Sequence, residues 1–114
     1  MKFEKLIKER YSCRKFKGKA VEQEKIDKIL EAGLVAPTAC NFQPQRILVL
    51  TDKDKIKALD EEKCTRYTFD APLIFVMCVD RAKAWTRKYD NLSSAEVDSS
   101  IVLTHMMLQS QELC

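Results

Sequence analysis

Residues Ala36-Pro37-Thr38-Ala39-Cys40-Asn41-Phe42-Gln43-Pro44-Gln45 separate a segment of helical periodicity from a short apolar run that reads as a strand. Pro37 and Pro44 bracket the stretch. Proline has no N–H to donate, fixes φ and pushes the preceding residue out of the helical region, so each one stops regular structure. Between them stand small residues and side-chain amides, where a plain tight turn would carry Gly and Asp. Asn41 and Gln43 each hold a donor and an acceptor, which suits the mixed polar edge of a heterocycle. The plainer alternative is a helix-to-strand loop whose Asn makes a local turn, and both readings stay open on these ten residues alone.

The chain has 114 residues, 46% of them hydrophobic, which is one domain with a modest core. Twenty Lys and Arg against 17 Asp and Glu leave a net charge of +3, and the pI is about 8.6. That balance excludes a charge-driven nucleic-acid or membrane binder. No apolar leader opens the chain, and no segment approaches the roughly 20 apolar residues of a membrane span. The expectation is a soluble, cytoplasmic protein. Cys13, Cys40, Cys64, Cys78 and Cys114 are odd in number and include no C-x-x-C. Neither a zinc site nor a disulfide framework is signalled, and reduced thiols fit best. With two glycines in all, no glycine-rich phosphate loop exists.

Upstream of the bracketed loop, Phe3, Leu6 and Ile7 fall at helical spacing over residues 3–9. A basic stretch with interleaved aromatics follows, from Arg10 through Tyr11, Ser12, Cys13, Arg14 and Phe16 to Lys19. Arg10 and Arg14 offer planar forks with the Ser12 hydroxyl between them, chemistry suited to a phosphate. A solvated basic loop and a small nucleic-acid contact are the alternatives, the latter disfavoured by so short a cluster. Residues 22–35 carry the clearest helical stripe, Ile26, Ile29, Leu30, Gly33 and Leu34, with Glu22 and Glu24 at the end where the helix dipole favours anions.

Downstream, Ile47-Leu48-Val49-Leu50 reads as a strand buried on both faces. Thr51-Asp52 caps a helix over about residues 53–62. Leu73 to Val79, entered through Pro72, is a second apolar strand in which Cys78 reads as a small core residue. Residues 80–94, with Trp85 and Tyr89, form an excursion, either a lid or a connector. A last helix starts near Ser94, capped by Ser93 or Ser94 and with Glu96 in its first turn. Its apolar arc, from Val97 through Ile101, Val102, Leu103, Met106 and Met107 to Leu113, places it in the middle of a structure. His105, the single histidine, reads as a core or interface residue, with no partner that signals a metal. The unpunctuated end at Glu112-Leu113-Cys114 implies a domain completed elsewhere, by further chain or by a partner subunit.

An Arg-x-Ser-x-Arg phosphate candidate and an amide-rich loop thus occur together. With their flanks, the chain resembles the FMN-dependent nitroreductase family. The matching pieces are Glu9-Arg10-Tyr11-Ser12-Cys13-Arg14-Lys15-Phe16, the loop Ala36 to Pro44, Asp70-Ala71-Pro72, and Asp98-Ser99-Ser100-Ile101 through Met106-Met107-Leu108-Gln109. The resemblance implies a three-layer α/β/α fold of the α+β class with a central mixed sheet, homodimeric, of which residues 1–114 are a single domain lacking the C-terminal part. It implies that Arg10 and Ser12 meet the phosphate and ribityl end of FMN, that Tyr11 is a further cofactor-binding residue, and that Arg14 lies beside the flavin pyrimidine edge. Pro37, Thr38, Ala39 and Asn41 would reach the same flavin from the other subunit. The implied reaction is hydride transfer from NADH or NADPH through flavin N5 to a small-molecule acceptor such as a nitro compound or quinone, with no protein nucleophile. Two departures stand out: Cys64 and Tyr67 where relatives often have an amide or basic residue, and Gln45 where many have Trp. The alternative expectation is a truncated relative that dimerises, binds FMN weakly and does not turn over.

Overall fold

The computed structural model describes residues 2–114, so Met1, the first residue of the expected domain, lies outside the described residues. The elements run α1 (Phe3–Glu9), α2 (Gln23–Leu34), a single 3-10 turn (Ala39–Asn41), β1 (Gln45–Leu50), α3 (Lys53–Glu61), β2 (Ile74–Val79) and α4 (Ala95–Glu112). β1 and β2 pair antiparallel, with Gln45 opposite Val79, Ile47 opposite Met77 and Leu50 opposite Ile74. Helices against a sheet give the expected α+β class. Among the described residues the sheet consists of these two strands.

The α2 stripe forms because Ile26, Ile29 and Gly33 fall at i, i+3 and i+7 and are buried together. Leu34, expected on the same stripe, is 66% exposed in the last turn. The helix ends there, with Val35 as its C-cap donating its N–H to Glu31 O, two residues before Pro37. Gly33 is needed for close approach: a Cβ at this position would stand 3.0 Å from the Met106 sulfur and 3.2 Å from Ile47 Cδ1. The α2–α4 crossing therefore brings backbone against side chains of both α4 and β1.

The core lies at that crossing. Ile29, Ala36, Val102 and Met106 are buried together, and Ile47, Phe75 and Met77 from one face of the sheet pack on them. Strand pleating sends alternate residues to opposite faces. Leu48 is accordingly 52% exposed, and Cys78, on the face opposite Met77 and paired with Arg46, is exposed as well. Two expectations are thereby corrected: β1 is not buried on both faces, and Cys78 is not a core residue. That second face is open at Arg46, Leu48 and Cys78, whereas its far end is covered, with Leu50 8% exposed. α4 is corrected likewise. Val102 and Met106 are buried, but Val97 is 61% and Leu103 46% exposed. Its wide apolar arc meets α2 and the sheet on one side and is left uncovered on the other.

The Asp52 carboxylate caps α3 by accepting from the Asp54 and Lys55 amides at 2.8 and 3.3 Å. Residues 80–94 form an internally bonded excursion: Thr86 bridges Ser93, Ser94 N donates to Trp85 O at 2.9 Å, and Arg87 pairs with Asp90 at 2.6 Å while lying over the Tyr89 ring. Val102 tests the core assignment. Val102→Ala is expected to lower stability in urea unfolding by about 2 kcal/mol, the transfer and cavity cost of two buried methyl-sized groups.

Candidate functional site

One buried carboxylate organises the bracketed loop. Asp98, in the first turn of α4, is 1% exposed. Its Oδ1 accepts from the Ala39 N–H at 2.9 Å and its Oδ2 from the Ser94 hydroxyl at 2.7 Å. An anion one turn into a helix also meets the positive end of the helix dipole. Ser94 is the N-cap residue of α4, but its hydroxyl is given to Asp98 and not to a helix amide; the Ser93 hydroxyl accepts from the Ala95 amide at 3.2 Å. Asp98 was quoted within a motif but given no role from sequence. Its signal was an acid among apolar positions on a core helix.

The loop held by Asp98 is conformationally unusual. Cys40, Asn41 and Gln43 have φ of 53°, 54° and 52°. Asn adopts this left-handed region readily, whereas Cys and Gln pay on the order of 1–2 kcal/mol each. Hydrogen bonds over-determine the geometry: Thr38 Oγ1 accepts from the Gln43 amide at 3.1 Å, the Gln43 side chain donates to Asn41 Oδ1, and Gln45 Nε2 donates to Gln43 Oε1 at 2.7 Å. Asn41 is exposed, and its Nδ2 has no acceptor among the described residues, so the loop presents a free amide donor. Pro37 is exposed and Thr38 and Ala39 are half-buried.

The Arg10–Arg14 segment leaves α1 without regular secondary structure and is exposed except at the half-buried Cys13. Arg10 N donates back to Leu6 O at 3.1 Å, and Arg14 Nη1 lies 3.5 Å from Ser12 O. Among the described residues no carboxylate pairs with Arg10 or Arg14, although Lys5 and Lys8 on the preceding helix are both paired. Tyr11 is 67% exposed, and the Cys13 sulfur beside its hydroxyl raises its pKa. Two unneutralised guanidiniums flanking the Ser12 hydroxyl are a donor set that fits a phosphate.

The structure brings Arg14 together with residues that the sequence did not nominate. Arg14, Arg66, Tyr67 and Phe69 line one hollow of about 470 Å³. Residues 65–68 are held there by Asp60, whose carboxylate accepts from the Thr68 amide at 2.7 Å and from the Thr68 hydroxyl. Tyr67 OH donates to Asp70 Oδ2 at 3.2 Å, and the Asp70 charge pushes the phenol's pKa up, keeping it protonated. Arg66 was missed because a lone Arg in a mixed polar stretch carries no motif. Among the described residues no hydrogen bond or ion pair joins residues 10–14 to residues 37–41. His105 is half-buried, and no His, Cys, Asp or Glu group among the described residues is placed to hold a metal ion.

These elements define an α+β chain with an exposed, unpaired Arg-x-Ser-x-Arg segment and a rigid amide-bearing loop. The model of the nitroreductase family matches residues 7–65. The chain belongs to the nitroreductase family. It is similar to a nitroreductase family protein from Clostridium difficile 630, 43% identical with a TM-score of 0.93 over 99% of this chain and 64% of that one. It is also similar to a nitroreductase with bound FMN from Desulfitobacterium hafniense, 26% identical with a TM-score of 0.79 over 96% of this chain and 64% of that one. An NADPH-dependent oxidoreductase from Staphylococcus haemolyticus is 35% identical over 75 residues, which are 66% of this chain and 30% of that protein. The chain thus spans less than two thirds of these relatives.

Asp98 yields a direct test. Asp98→Ala leaves the Ala39 amide and the Ser94 hydroxyl without their acceptor and is expected to cost about 3 kcal/mol in stability. The Ala39 amide should then exchange with solvent faster than its core neighbours. Asp98→Asn, which retains one carbonyl acceptor, should cost less than half as much. Equal losses in the two variants would show that the carboxylate geometry is not what holds the loop.

Proposed function

We propose that this chain is part of a cytoplasmic, homodimeric flavin oxidoreductase that carries hydride from NADH or NADPH through FMN to a nitro compound or quinone-like acceptor. The observation that carries the reading is the Arg10–Ser12–Arg14 segment, exposed and unpaired, in a chain of the nitroreductase family. Relatives named for FMN and for NADPH support the choice of cofactor and donor. The donor set also fits in chemistry: two guanidiniums and a hydroxyl for the phosphate and ribityl end, and the free Asn41 amide for a ring carbonyl.

In this reading Arg10 and Ser12 bind the phosphate end, Tyr11 is a further cofactor contact, and Arg14 sets a cation beside the pyrimidine edge, where negative charge accumulates on reduction. When bound, FMN supplies the hydride chemistry, which side chains alone do not. Pro37, Thr38, Ala39 and Asn41 serve the flavin of the partner subunit, which accords with the absence of any hydrogen bond or ion pair between them and residues 10–14 among the described residues. A second copy would cover the uncovered side of α4, where Val97, Leu103 and Met107 are exposed. The cytoplasm is favoured by five unpaired cysteines, and no helix among the described residues is long and apolar enough to cross a membrane.

The deciding experiment is the visible spectrum of the purified protein after FMN is added and the excess removed. A retained flavin spectrum supports the reading, and a colourless protein supports the weakly binding relative instead. Arg10→Ala is expected to weaken FMN binding by about 1.5–3 kcal/mol, the worth of a hydrogen bond to a charged group, measured by flavin titration. In mixed dimers with Asn41→Ala on one protomer and Arg10→Ala on the other, a shared site puts both changes on one flavin site, and half the flavin content is expected to remain. Damage to both sites would contradict a shared site.

A further inference from the structure

Asn41, Gln43 and Gln45 are alternate residues, and their side-chain amides form a chain of hydrogen bonds that runs one way. Gln45 Nε2 donates to Gln43 Oε1 at 2.7 Å, and Gln43 Nε2 donates to Asn41 Oδ1. Gln43 Nε2 also donates to Thr38 Oγ1 at 3.4 Å, so the group has acceptors on two sides. The chain ends outward on the Asn41 Nδ2 donor and inward on Gln45 Oε1. That inner oxygen belongs to a residue only 7% exposed and has no hydrogen-bond partner among the described residues. Arg46 holds the backbone of both glutamines: its Nη1 donates to Gln43 O at 3.0 Å and to Gln45 O at 2.7 Å.

A chain of amides can run in either of two directions. Turned round, this one would present Asn41 Oδ1 outward and leave the Gln45 NH2 unpaired at the buried end. Buried N–H groups without an acceptor are rarer in proteins than buried carbonyls without a donor. We propose that Gln45 is a positioning residue: its buried amide sets the direction of the chain, so that Asn41 offers a ligand an N–H and not a C=O. The inference rests on the flavin reading above and names what the loop selects in its ligand, a hydrogen-bond acceptor such as a ring carbonyl. With the chain reversed, Asn41 Oδ1 would face that carbonyl lone pair to lone pair. Gln45 acts through Gln43 and does not itself touch the ligand.

The test is the hydrogen exchange of the side-chain amides with water, read by heteronuclear NMR on the full chain without FMN, alongside FMN titrations. In the wild type the Asn41 NH2 is expected to exchange as fast as a free amide, and the Gln43 NH2 severalfold more slowly. Gln45→Glu replaces the donor with a carboxylate that only accepts. Gln43 Nε2 should turn to it, Asn41 Nδ2 should turn to Gln43 Oε1, and Asn41 exchange should slow severalfold. A loop that was merely loosened would show the opposite, faster exchange. FMN affinity of Gln45→Glu should fall about tenfold, the net contribution of one hydrogen bond. Gln45→Met, which keeps the length and offers neither group, should quicken Gln43 exchange. A wild-type Asn41 amide as slow as that of Gln43 overturns the proposal, whether or not Gln45→Glu folds. So does unchanged Gln43 exchange in Gln45→Met, or Asn41 exchange that stays fast in a folded Gln45→Glu. A wild type with no FMN affinity counts against the flavin reading alone, because the exchange rates read the amide chain without the cofactor.

Discussion

The bond from the Ala39 amide to the buried Asp98 carboxylate ties the two ends of this structure together. Burying a carboxylate is costly unless hydrogen bonds replace its water, and here a backbone amide, a serine hydroxyl and a helix N-terminus do so. The bond spans 59 residues of sequence. It therefore makes the geometry of the Pro37–Asn41 loop depend on the position of α4, and so on the core that α4 shares with α2. The left-handed residues Cys40, Asn41 and Gln43 persist because that anchor and the Thr38, Gln43 and Gln45 side chains allow little else. A rigid loop with a free Asn41 amide costs a ligand less ordering entropy than a mobile one.

A second carboxylate repeats the device. Asp60 at the end of α3 holds Thr68, and with it the segment that carries Arg66, Tyr67 and Phe69. In both places an acid accepts from a backbone N–H and a hydroxyl; one held segment presents the Asn41 amide, the other Arg66, which makes no ion pair among the described residues. The contrast along one stretch is informative. Lys5 and Lys8 are each matched with an acid one helical turn away, while Arg10 and Arg14 just beyond α1 are not. Charges left unmatched beside matched ones are where a ligand's charge has most to gain.

Much of this was legible in the sequence. The α2 stripe, the Asp52 cap, both strands and the last helix follow from local periodicity and capping chemistry, which the structure keeps. Pairing Arg10-x-Ser12-x-Arg14 with the Pro37–Pro44 loop was enough to identify the family, because two sparse motifs at fixed spacing seldom coincide. Burial was less legible. An apolar run such as Ile47–Leu50 says that a strand forms and nothing about how many layers cover it, so Leu48 and Cys78 were assigned to a core that this chain does not build around them. Leu34 failed for a nearby reason: in the final turn of α2 it is Gly33 that packs against Met106, and Leu34 beside it stays 66% exposed.

The sequence by itself determined the elements, their order and the residue types available for phosphate and amide recognition, since propensity, capping and motif spacing act within a few residues. Only the tertiary structure decided which side of α4 is buried, that Gly33 is where α2 meets Met106 and Ile47, that Asp98 anchors Ala39, and that Arg14 and Arg66 share a hollow. Those facts join residues tens of positions apart. Their energies exist only once the intervening chain has closed, and no local pattern records them.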